Sequence, residues 1–211
     1  MARARSIEET RREVIVESAL RLILKNGYDR TTLDHVAAQA GVSKGLISYY
    51  FPNKDALFLA VLERILTRLR ADLETCYRAH LPARDRLRLN LKNLFGSEKR
   101  ARQYYTVLID FLARAPREKE IGGYTETIYQ TVLTYVEWTI IDGVRAGEFR
   151  DVDPHVAASM LVAMMEGLVL QWLFNREGVS LAEAYDMCEM FVEQNLAGLP
   201  VVEGQAVPAA S

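Results

Sequence analysis

The sequence contains few of the residues that interrupt or cross-link a chain. Its 211 residues include only six prolines, 12 glycines, three histidines and two cysteines. Cys76 and Cys188 stand far apart and form no short metal-binding spacing, so neither a zinc site nor a disulfide framework is indicated. The first basic residues are followed by no signal-peptide pattern. We therefore expect a cytoplasmic protein with no cofactor, metal or catalytic site.

Long hydrophobic runs are also missing. The longest apolar stretch, residues 160–165, is interrupted by Glu166 and Gly167. It falls short of the roughly 20 apolar residues that a membrane helix needs. Half of all residues are nonetheless hydrophobic, which excludes a disordered chain and favours a buried helix at this position, with no membrane partner.

Neither sign of charge dominates the whole chain, but charge is unevenly distributed. The formal net charge is −2, with 26 basic and 28 acidic residues. Residues 1–54 carry nine Lys/Arg and six Asp/Glu, a net charge of +3, which leaves −5 for the remainder. This split predicts a basic module that meets an anion, joined to an acidic body with another task. A chance fluctuation is the alternative.

The apolar periodicity and the capping residues predict an all-α fold of about nine helices. Capping patterns place helix starts at Ser6 with Glu9, at Thr31 or Thr32, at Ser43, at Asn53, at Asp153-Pro154 and at Ser180 with Glu183. The expected helices are 6–26, 33–40, 44–51, 53–77, 83–95, 98–113, 118–146, 154–174 and 180–197. The predicted domains are 1–54 and 55–199, followed by a disordered tail at 200–211.

The second and third helices predict a helix-turn-helix. At about 100° per residue, Ile47 and Phe51 share the face of the third helix that docks on the helices behind it. Gly45, Ser48 and Tyr49 point the other way. A small residue, a hydroxyl and a phenol on one outward face suit a DNA groove, and exposed helix N-termini add N–H groups for phosphate.

An ordered series of motifs runs through this region: Gly27-Tyr28, Thr31-Thr32, Val36-Ala37 and the continuous segment 41–57. The series resembles the tetracycline-repressor (TetR) family. That resemblance implies a dimeric, all-helical transcriptional regulator, with an N-terminal domain for operator DNA and a C-terminal domain for a small-molecule effector. It does not imply the sign of regulation, and repression is the favoured expectation. Gly147-Glu148-Phe149 before Asp153-Pro154 is similar to the choline-responsive (BetI-like) subgroup.

The resemblance also implies DNA contacts at matching positions: Thr32, Ser43, Lys44, Gly45, Ser48, Tyr49, Tyr50 and Lys54. Lys54 is expected on a phosphate at a helix start. Ser48 departs from the family pattern, in which tyrosine is frequent, so base readout at that site is weaker or passes to Lys44.

Two further surfaces are expected in the C-terminal part. A ligand pocket is assigned to Tyr105, Phe111, Tyr135, Trp138 and Met164, a set whose rings and neighbouring carboxylates suit an organic cation as one candidate effector. A homodimer interface between the last two helices is assigned to Met165, Val169, Trp172, Cys188, Phe191 and Val192. Ordinary core packing is the alternative for each of these residues.

Two competing functions remain to be weighed. Residues 41–45 read G-x-S-x-G, the serine hydrolase elbow, but that elbow requires a strand before the serine, and a helix is predicted there. A helical protein-interaction module is the other competitor. Both predict no salt-sensitive, sequence-selective DNA binding, and either cysteine remains open as a redox sensor.

Overall fold

A computed structural model describes residues 2–175 and 177–197, with side chains from residue 8 onward. The predicted disordered tail, 200–211, lies outside this range. The described residues contain no strand, which confirms the all-α fold. The elements are α1 (Ala2–Asn26), α2 (Leu33–Ala40), α3 (Lys44–Tyr50), α4 (Lys54–Tyr77), α5 (Ala83–Phe95), α6 (Glu98–Arg114), α7 (Lys119–Arg145), α8 (Pro154–Phe174), α9 (Leu181–Phe191) and a π-helix (Val192–Leu196).

Most helix starts lie where the capping residues predict them. The side chains of Thr32, Ser43 and Asp153 each accept a hydrogen bond from a backbone N–H in the first turn of the following helix. Asn53 Oδ1 accepts from Ala56 N at 2.7 Å, and Ser180 forms a complete capping box with its N3 glutamate. These caps satisfy N–H groups that a helix end otherwise leaves without a partner.

The predicted cap at Ser6 is wrong. Helix α1 already begins at Ala2, so Ser6 lies inside it. The residues before Ser6 alternate alanine and arginine, which rank among the best helix formers, and the helix continues through them. Thr31 also does not cap α2. Its buried hydroxyl instead donates to the carbonyl of Gly27 at 2.8 Å.

The chain forms two compact units. Unit 1 comprises Met1–Asp72 and Lys99–Thr131, and unit 2 comprises Leu73–Glu98 and Val132–Ser211. The predicted DNA-binding segment, 1–54, therefore falls wholly within unit 1. The divisions between the units fall inside α4 and α7 as well as at the start of α6.

Unit 1 has a core of aliphatic and aromatic side chains. Ile15 and Ile23 of α1, Ile47 of α3 and Phe111 of α6 are completely buried. The ring of Phe111 lies 5.2 Å from that of Phe58 in α4. The helix-turn-helix is therefore packed on α1 and held in a core to which α6 also contributes.

Unit 2 brings α5 and α9 together and packs α8 along α9. Within this unit, the backbone of α7 at Gly143 lies very close to Phe149 in the loop that follows the helix. A Cβ added to Gly143 would lie 2.2 Å from the ring of Phe149 and 3.0 Å from Cβ of Ala83. Phe149 is 5% exposed, so only glycine at position 143 leaves room for this ring in the core.

Helix α8 is the one described helix that is long and apolar enough to cross a membrane. It has 21 residues and a mean hydropathy of 1.7 in its most apolar window. This helix is more apolar than the interrupted run at residues 160–165 suggests. Length and composition are weak indications, because core helices of soluble proteins pass the same test. Ala158, Leu161 and Val169 on one side of α8 are buried in the core of unit 2.

Candidate nucleic-acid interface

The turn between α2 and α3 is built by a glycine in the left-handed conformation. Gly41 has φ +67°, and its N–H caps the carbonyl groups at the end of α2. Val42 N donates to Ala37 O at 3.0 Å. A side chain at residue 41 would be strained because L-residues rarely adopt this φ. The sharp turn then delivers the chain to Ser43, whose Oγ accepts from Leu46 N at 3.2 Å.

Helix α3 has the two faces that the sequence predicts. Ile47 is completely buried and Phe51, at the end of the helix, is 3% exposed. Gly45 and Ser48 are exposed, and Tyr49 has 72% of its surface exposed. A helix so short is positioned by its buried side, which leaves an outward face available to a double-stranded nucleic acid.

Gly45 leaves open space on that outward face. A Cβ built there would meet only its near neighbour Ser43 Oγ, at 3.9 Å. The fold therefore does not require glycine at this position. Tyr50, by contrast, is half-buried beside Tyr49, with ring centroids 5.1 Å apart.

Two of the predicted DNA contacts are engaged by the protein's own acidic groups. Lys44 Nζ lies 2.9 Å from both carboxylate oxygens of Asp34. Tyr49 OH donates to Glu8 Oε1 at 3.1 Å, and this hydrogen bond raises the pKa of Tyr49. All four side chains are exposed, so solvent screening keeps these contacts weak and easily exchanged for phosphate or base partners.

Lys54, the predicted phosphate contact, belongs to a cluster around Tyr28. Its Nζ lies 3.9 Å from the centre of the Tyr28 ring, and Cζ of Arg114 lies at the same distance. The Phe58 ring approaches edge-on with its centroid at 3.7 Å. The Tyr28 hydroxyl donates to Asp55, which also receives a hydrogen bond from Arg114 at 2.9 Å. We call these residues, Tyr28, Lys54, Asp55, Phe58 and Arg114, the Tyr28 cluster.

The electrostatics of the Tyr28 cluster follow from its contacts. Burial and the hydrogen bond to Asp55 raise the pKa of Tyr28 to about 12, so the phenol stays protonated. Hydrogen bonds from Tyr28 and Arg114 lower the pKa of Asp55. Burial lowers the pKa of Lys54, although nearby carboxylates oppose this. Sequence reasoning missed the role of Arg114 in this cluster because Asp55 and Tyr28 lie 59 and 86 residues away from it.

The predicted pocket residues do not lie in one compact unit. Tyr105 and Phe111 are buried in unit 1, while Tyr135, Trp138 and Met164 belong to unit 2. Within unit 2, Tyr135 and Trp138 have ring centroids 5.4 Å apart. Tyr77, which was not predicted, joins them at 6.0 and 5.7 Å. We call Tyr77, Tyr135 and Trp138 the aromatic cluster.

The aromatic cluster retains exposed ring surface. Trp138 is 45% exposed and the two tyrosines are half-buried. Arg86 lies 5.3 Å from the centre of the Tyr77 ring and is tied to Asp142 at 3.0 Å. Glu137, beside Trp138, contacts His155 Nδ1 at 3.2 Å. The two carboxylates named here, Asp142 and Glu137, thus already have partners within the protein, and the organic-cation site stays a prediction.

Most of the residues predicted at the dimer interface are buried within unit 2. Met165, Val169, Trp172, Cys188 and Val192 are each at most 9% exposed, and Phe191 is half-buried. The protomer itself therefore covers most of this surface, and the assignment of these residues to a dimer interface stays a prediction. The sequence identifies the apolar helices but not the side of each helix that the protomer itself covers.

An apolar stripe is instead exposed on the other side of α8. It consists of the exposed residues Val156, Met160, Ala163, Leu170 and Phe174 and of Gly167, which is half-buried. The spacing alternates between four and three residues, which is the repeat of a helix seam that packs on another helix. A Cβ at Gly167 would meet nothing within 4 Å. Met187 and Met190 of α9 are exposed as well.

Other candidate reactive groups have structural explanations. Ser43, the serine of G-x-S-x-G, caps α3, and the helix α2 stands where a hydrolase elbow needs a strand. Both cysteines are free and buried, and burial raises the pKa of Cys188 to about 12, which opposes thiolate chemistry. No group of three or more His, Cys, Asp or Glu suited to a metal ion occurs within 2–175 and 177–197.

Two family models together span most of the chain. Residues 15–61 match the model of bacterial regulatory proteins of the tetR family. Residues 83–197 match the model of the C-terminal region of BetI-type transcriptional repressors. The first match contains the helix-turn-helix, and the second covers α5 to the π-helix, more than half of the chain.

Individual relatives agree with both models. The HTH-type transcriptional regulator BetI of Rhizobium meliloti is 27% identical over 190 residues, which cover 90% of this chain and 91% of that protein. A transcriptional regulator from Saccharomonospora viridis, solved in complex with choline, has a TM-score of 0.83 and 26% identity and covers 89% of this chain and 98% of its own. The triclosan complex of SmeT has a TM-score of 0.73 at 20% identity, with coverage of 94% and 99%, which shows a common fold.

Proposed function

This chain belongs to the TetR family of bacterial regulatory proteins, and on that premise we propose that it binds operator DNA as a homodimer and is released by a small organic cation. It is a transcriptional regulator with a BetI-type C-terminal region, and its relatives are regulators rather than enzymes. We assign DNA binding to the domain 1–54, and effector binding and dimerisation to 55–199, in a cytoplasmic repressor.

The observation that carries the DNA-binding assignment is the outward face of α3. It presents Gly45, Ser48 and Tyr49, while Ile47 and Phe51 fix the helix from behind. The full proposed contact set is Thr32, Ser43, Lys44, Gly45, Ser48, Tyr49, Tyr50 and Lys54. The caps at Thr32 and Ser43 add first-turn N–H groups for phosphate.

The DNA-binding assignment is tested with the chain's own upstream DNA at two salt concentrations. We expect saturable, sequence-selective binding that weakens as salt rises, because Lys/Arg–phosphate contacts release counterions. The Lys44→Ala/Tyr49→Ala double variant should lose more than tenfold in affinity, while Lys92→Ala/Tyr124→Ala, changed outside the proposed contact set, should not. An unchanged mobility shift for the first variant contradicts the contact set.

We assign the homodimer interface to the exposed stripe of α8. Val156, Met160 and Phe174 are more than half exposed, an unusual state for large apolar side chains, and the small residues Ala163 and Gly167 let a second helix approach closely. We propose that a second copy of this chain packs on the stripe. Around a two-fold axis, the four–three repeat of one α8 can pack against the same repeat of the other α8. A dimer would present two α3 helices to two half-sites.

Analytical ultracentrifugation tests the dimer. Met160→Glu/Leu170→Glu should sediment as a monomer at concentrations where the parent is dimeric, because it places charges in an apolar seam. Leu81→Glu changes a leucine that is 46% exposed outside α8, so it should stay dimeric. A dimeric Met160→Glu/Leu170→Glu variant would move the interface elsewhere.

The effector assignment rests on the aromatic cluster. Three rings within 5.4–6.0 Å of one another, one of them an exposed indole, offer π faces to a quaternary ammonium group. The choline complex of the Saccharomonospora viridis relative supports this class of ligand. Release from DNA follows only if the cation prefers a conformation that binds operator poorly.

Tryptophan fluorescence tests the effector site. Trp138 and Trp172 are the two tryptophans of the chain, so Trp172→Phe leaves Trp138 as the sole reporter. We expect a saturable change on titration with choline, lost when Tyr77→Leu is added and kept when Tyr104→Leu is added instead. A flat signal contradicts the assignment of the aromatic cluster, without affecting the DNA assignment.

A further inference from the structure

Two buried side-chain donors on α5 have no hydrogen-bond partner among the residues that the structure describes. They are Nδ2 of Asn90, a residue that is 8% exposed, and Nε of Arg86, whose side chain is 11% exposed. Arg86 uses its Nη1 for Asp142 and for the carbonyl group of Tyr77, both at 3.0 Å. Buried N–H groups are nearly always hydrogen-bonded in native proteins, because burial removes them from water. The two donors therefore need an explanation.

Two other buried guanidinium nitrogens in the described residues share this condition, but carboxylates surround them. Arg88 Nε lies 2.7 Å from Glu189 Oε1 in an ion pair. Arg114 belongs to the Tyr28 cluster of unit 1, where two carboxylates hold its other nitrogens. Asn90 differs, because its side chain is neutral and no charge in its group compensates for the missing hydrogen bond.

Both donors lie on the face of α5 that meets the aromatic cluster, within unit 2. Arg86 Cζ is 5.3 Å from the centre of the Tyr77 ring. Asn93 Nδ2 lies 3.1 Å from Sγ of Cys76, the residue before Tyr77. At about 100° per residue, positions 86, 90 and 93 fall within about 60° of one another around the helix. Asn90 thus stands between two side chains that reach the end of α4.

The chemistry of these two donors favours a ligand group that only accepts hydrogen bonds. A carboxylate is such a group, and it is the stronger acceptor because it is charged. A hydroxyl group brings a hydrogen that needs an acceptor of its own. The carboxylates near the aromatic cluster are already engaged, Asp142 by Arg86 and Glu137 by His155.

We propose that the effector of the aromatic cluster is a zwitterion, a quaternary ammonium ion that also carries a carboxylate. This inference rests on the organic-cation site proposed above and adds the second half of its ligand. The ammonium group would lie against the rings of Tyr77, Tyr135 and Trp138. The carboxylate would accept hydrogen bonds from Asn90 Nδ2 and Arg86 Nε. A cation without a carboxylate satisfies these donors less well, so the site selects against it.

Isothermal titration of the full chain with three ligands tests the proposal. Choline carries a hydroxyl group beside its ammonium group. Glycine betaine carries a carboxylate one methylene away from the ammonium group, and γ-butyrobetaine carries it three methylenes away. We expect at least one of the two betaines to bind more than tenfold more tightly than choline.

Variants of Asn90 separate a ligand contact from packing. Asn90→Asp keeps the shape of the side chain and places a negative charge opposite the carboxylate, so betaine affinity should fall more than tenfold while choline affinity is kept. Asn90→Leu removes the donor without adding charge and should abolish most of the preference for betaine. The control Asn93→Asp adds the same charge at an exposed position of α5 and should keep that preference. Thermal unfolding without ligand checks that each variant is folded.

Three results would overturn the zwitterion and leave the cation site in place. Choline that binds as tightly as both betaines would show that the carboxylate finds no partner. A betaine preference that survives in both Asn90 variants would place the carboxylate elsewhere. Equal weakening of betaine and choline would make Asn90 a packing residue. If none of the three ligands binds, the organic-cation site fails as well, and operator binding is measured separately.

Discussion

The two compact units use the same kinds of side chain and leave different amounts of space around them. In unit 1, the ring of Tyr28 is crowded by two cations at 3.9 Å and by a phenyl ring at 3.7 Å. In unit 2, the aromatic cluster keeps Trp138 45% exposed, and one cation approaches Tyr77 no closer than 5.3 Å. A cation next to an aromatic ring thus serves structure in the first case and leaves room for a ligand in the second.

Two helical glycines show the same contrast with the units exchanged. The ring of Phe149 packs against Gly143 of unit 2, whereas Gly45 of unit 1 faces open space. The first glycine is required by the fold and the second is not. Gly45 belongs to the DNA-contact set proposed above, so we expect its open space to serve the approach of DNA rather than the fold.

Replacing Gly143 by alanine should have the largest effect. The added Cβ would meet the Phe149 ring at 2.2 Å, and overpacking of this kind costs roughly 1–3 kcal/mol. We expect a lower midpoint in urea unfolding. The pair Gly143→Ala/Phe149→Leu, with a smaller side chain opposite, should recover part of the loss, and an unchanged midpoint for the single variant would show that the loop adapts freely.

Replacing the crowded tyrosine should cost more stability than replacing the open one. Tyr28→Leu loses a hydrogen bond to a carboxylate and two cation contacts, so we expect about 2 kcal/mol of destabilisation. Tyr77→Leu should cost less than about 1 kcal/mol and should chiefly weaken choline binding. Equal losses in chemical unfolding would remove the distinction between the two clusters.

Gly45→Ala should separate stability from DNA binding. Alanine favours the helix by up to about 0.5–1 kcal/mol and meets only Ser43 Oγ, so the melting temperature should rise slightly. A methyl group on the outward face should nonetheless weaken operator binding, by about fivefold in a fluorescence anisotropy titration. Ala38→Gly, at an exposed position of α2, serves as a control in the opposite direction, because it lowers helix propensity. Undiminished DNA affinity in Gly45→Ala would place DNA away from this face.

The smallest effect concerns pH. The pKa of Asp55 is lowered in the folded protein. Its carboxylate therefore stabilises the fold at pH values above its unfolded-state pKa of about 3.9. This contribution is lost as the pH falls through the folded-state pKa. Asp55→Asn should therefore melt below the parent at neutral pH, with the gap closing in acid. A gap independent of pH would mean that Asp55 acts by packing rather than by charge.

The features that sequence predicted well are local. The caps at Thr32, Ser43, Asn53 and Ser180 act within three residues of themselves, and a periodic apolar pattern is enough to identify most helices. The start of α1 was not predicted correctly, because the residues before the expected cap favour a helix strongly enough to extend it past that cap.

The features that sequence did not predict depend on distant partners. Arg114 was missed because Tyr28 and Asp55 reach it only in the folded chain. In α8, nearly every position is apolar, so periodicity cannot tell the buried Val169 from the exposed Leu170. The pocket residues assigned from the sequence lie in two different compact units, and their assignment stays a prediction.

The contacts of Lys44 with Asp34 and of Tyr49 with Glu8 also affect how the protein searches a genome. Random DNA offers phosphates everywhere, and a regulator with many uncompensated cations is retained on it. Here Asp34 lies 2.9 Å from the ammonium group of Lys44, so a random phosphate that replaces this exposed carboxylate only exchanges one weak ion pair for another. We expect brief stays on unrelated sequence and a long stay only where base contacts add to the exchange, which would let few copies of the protein find their operator.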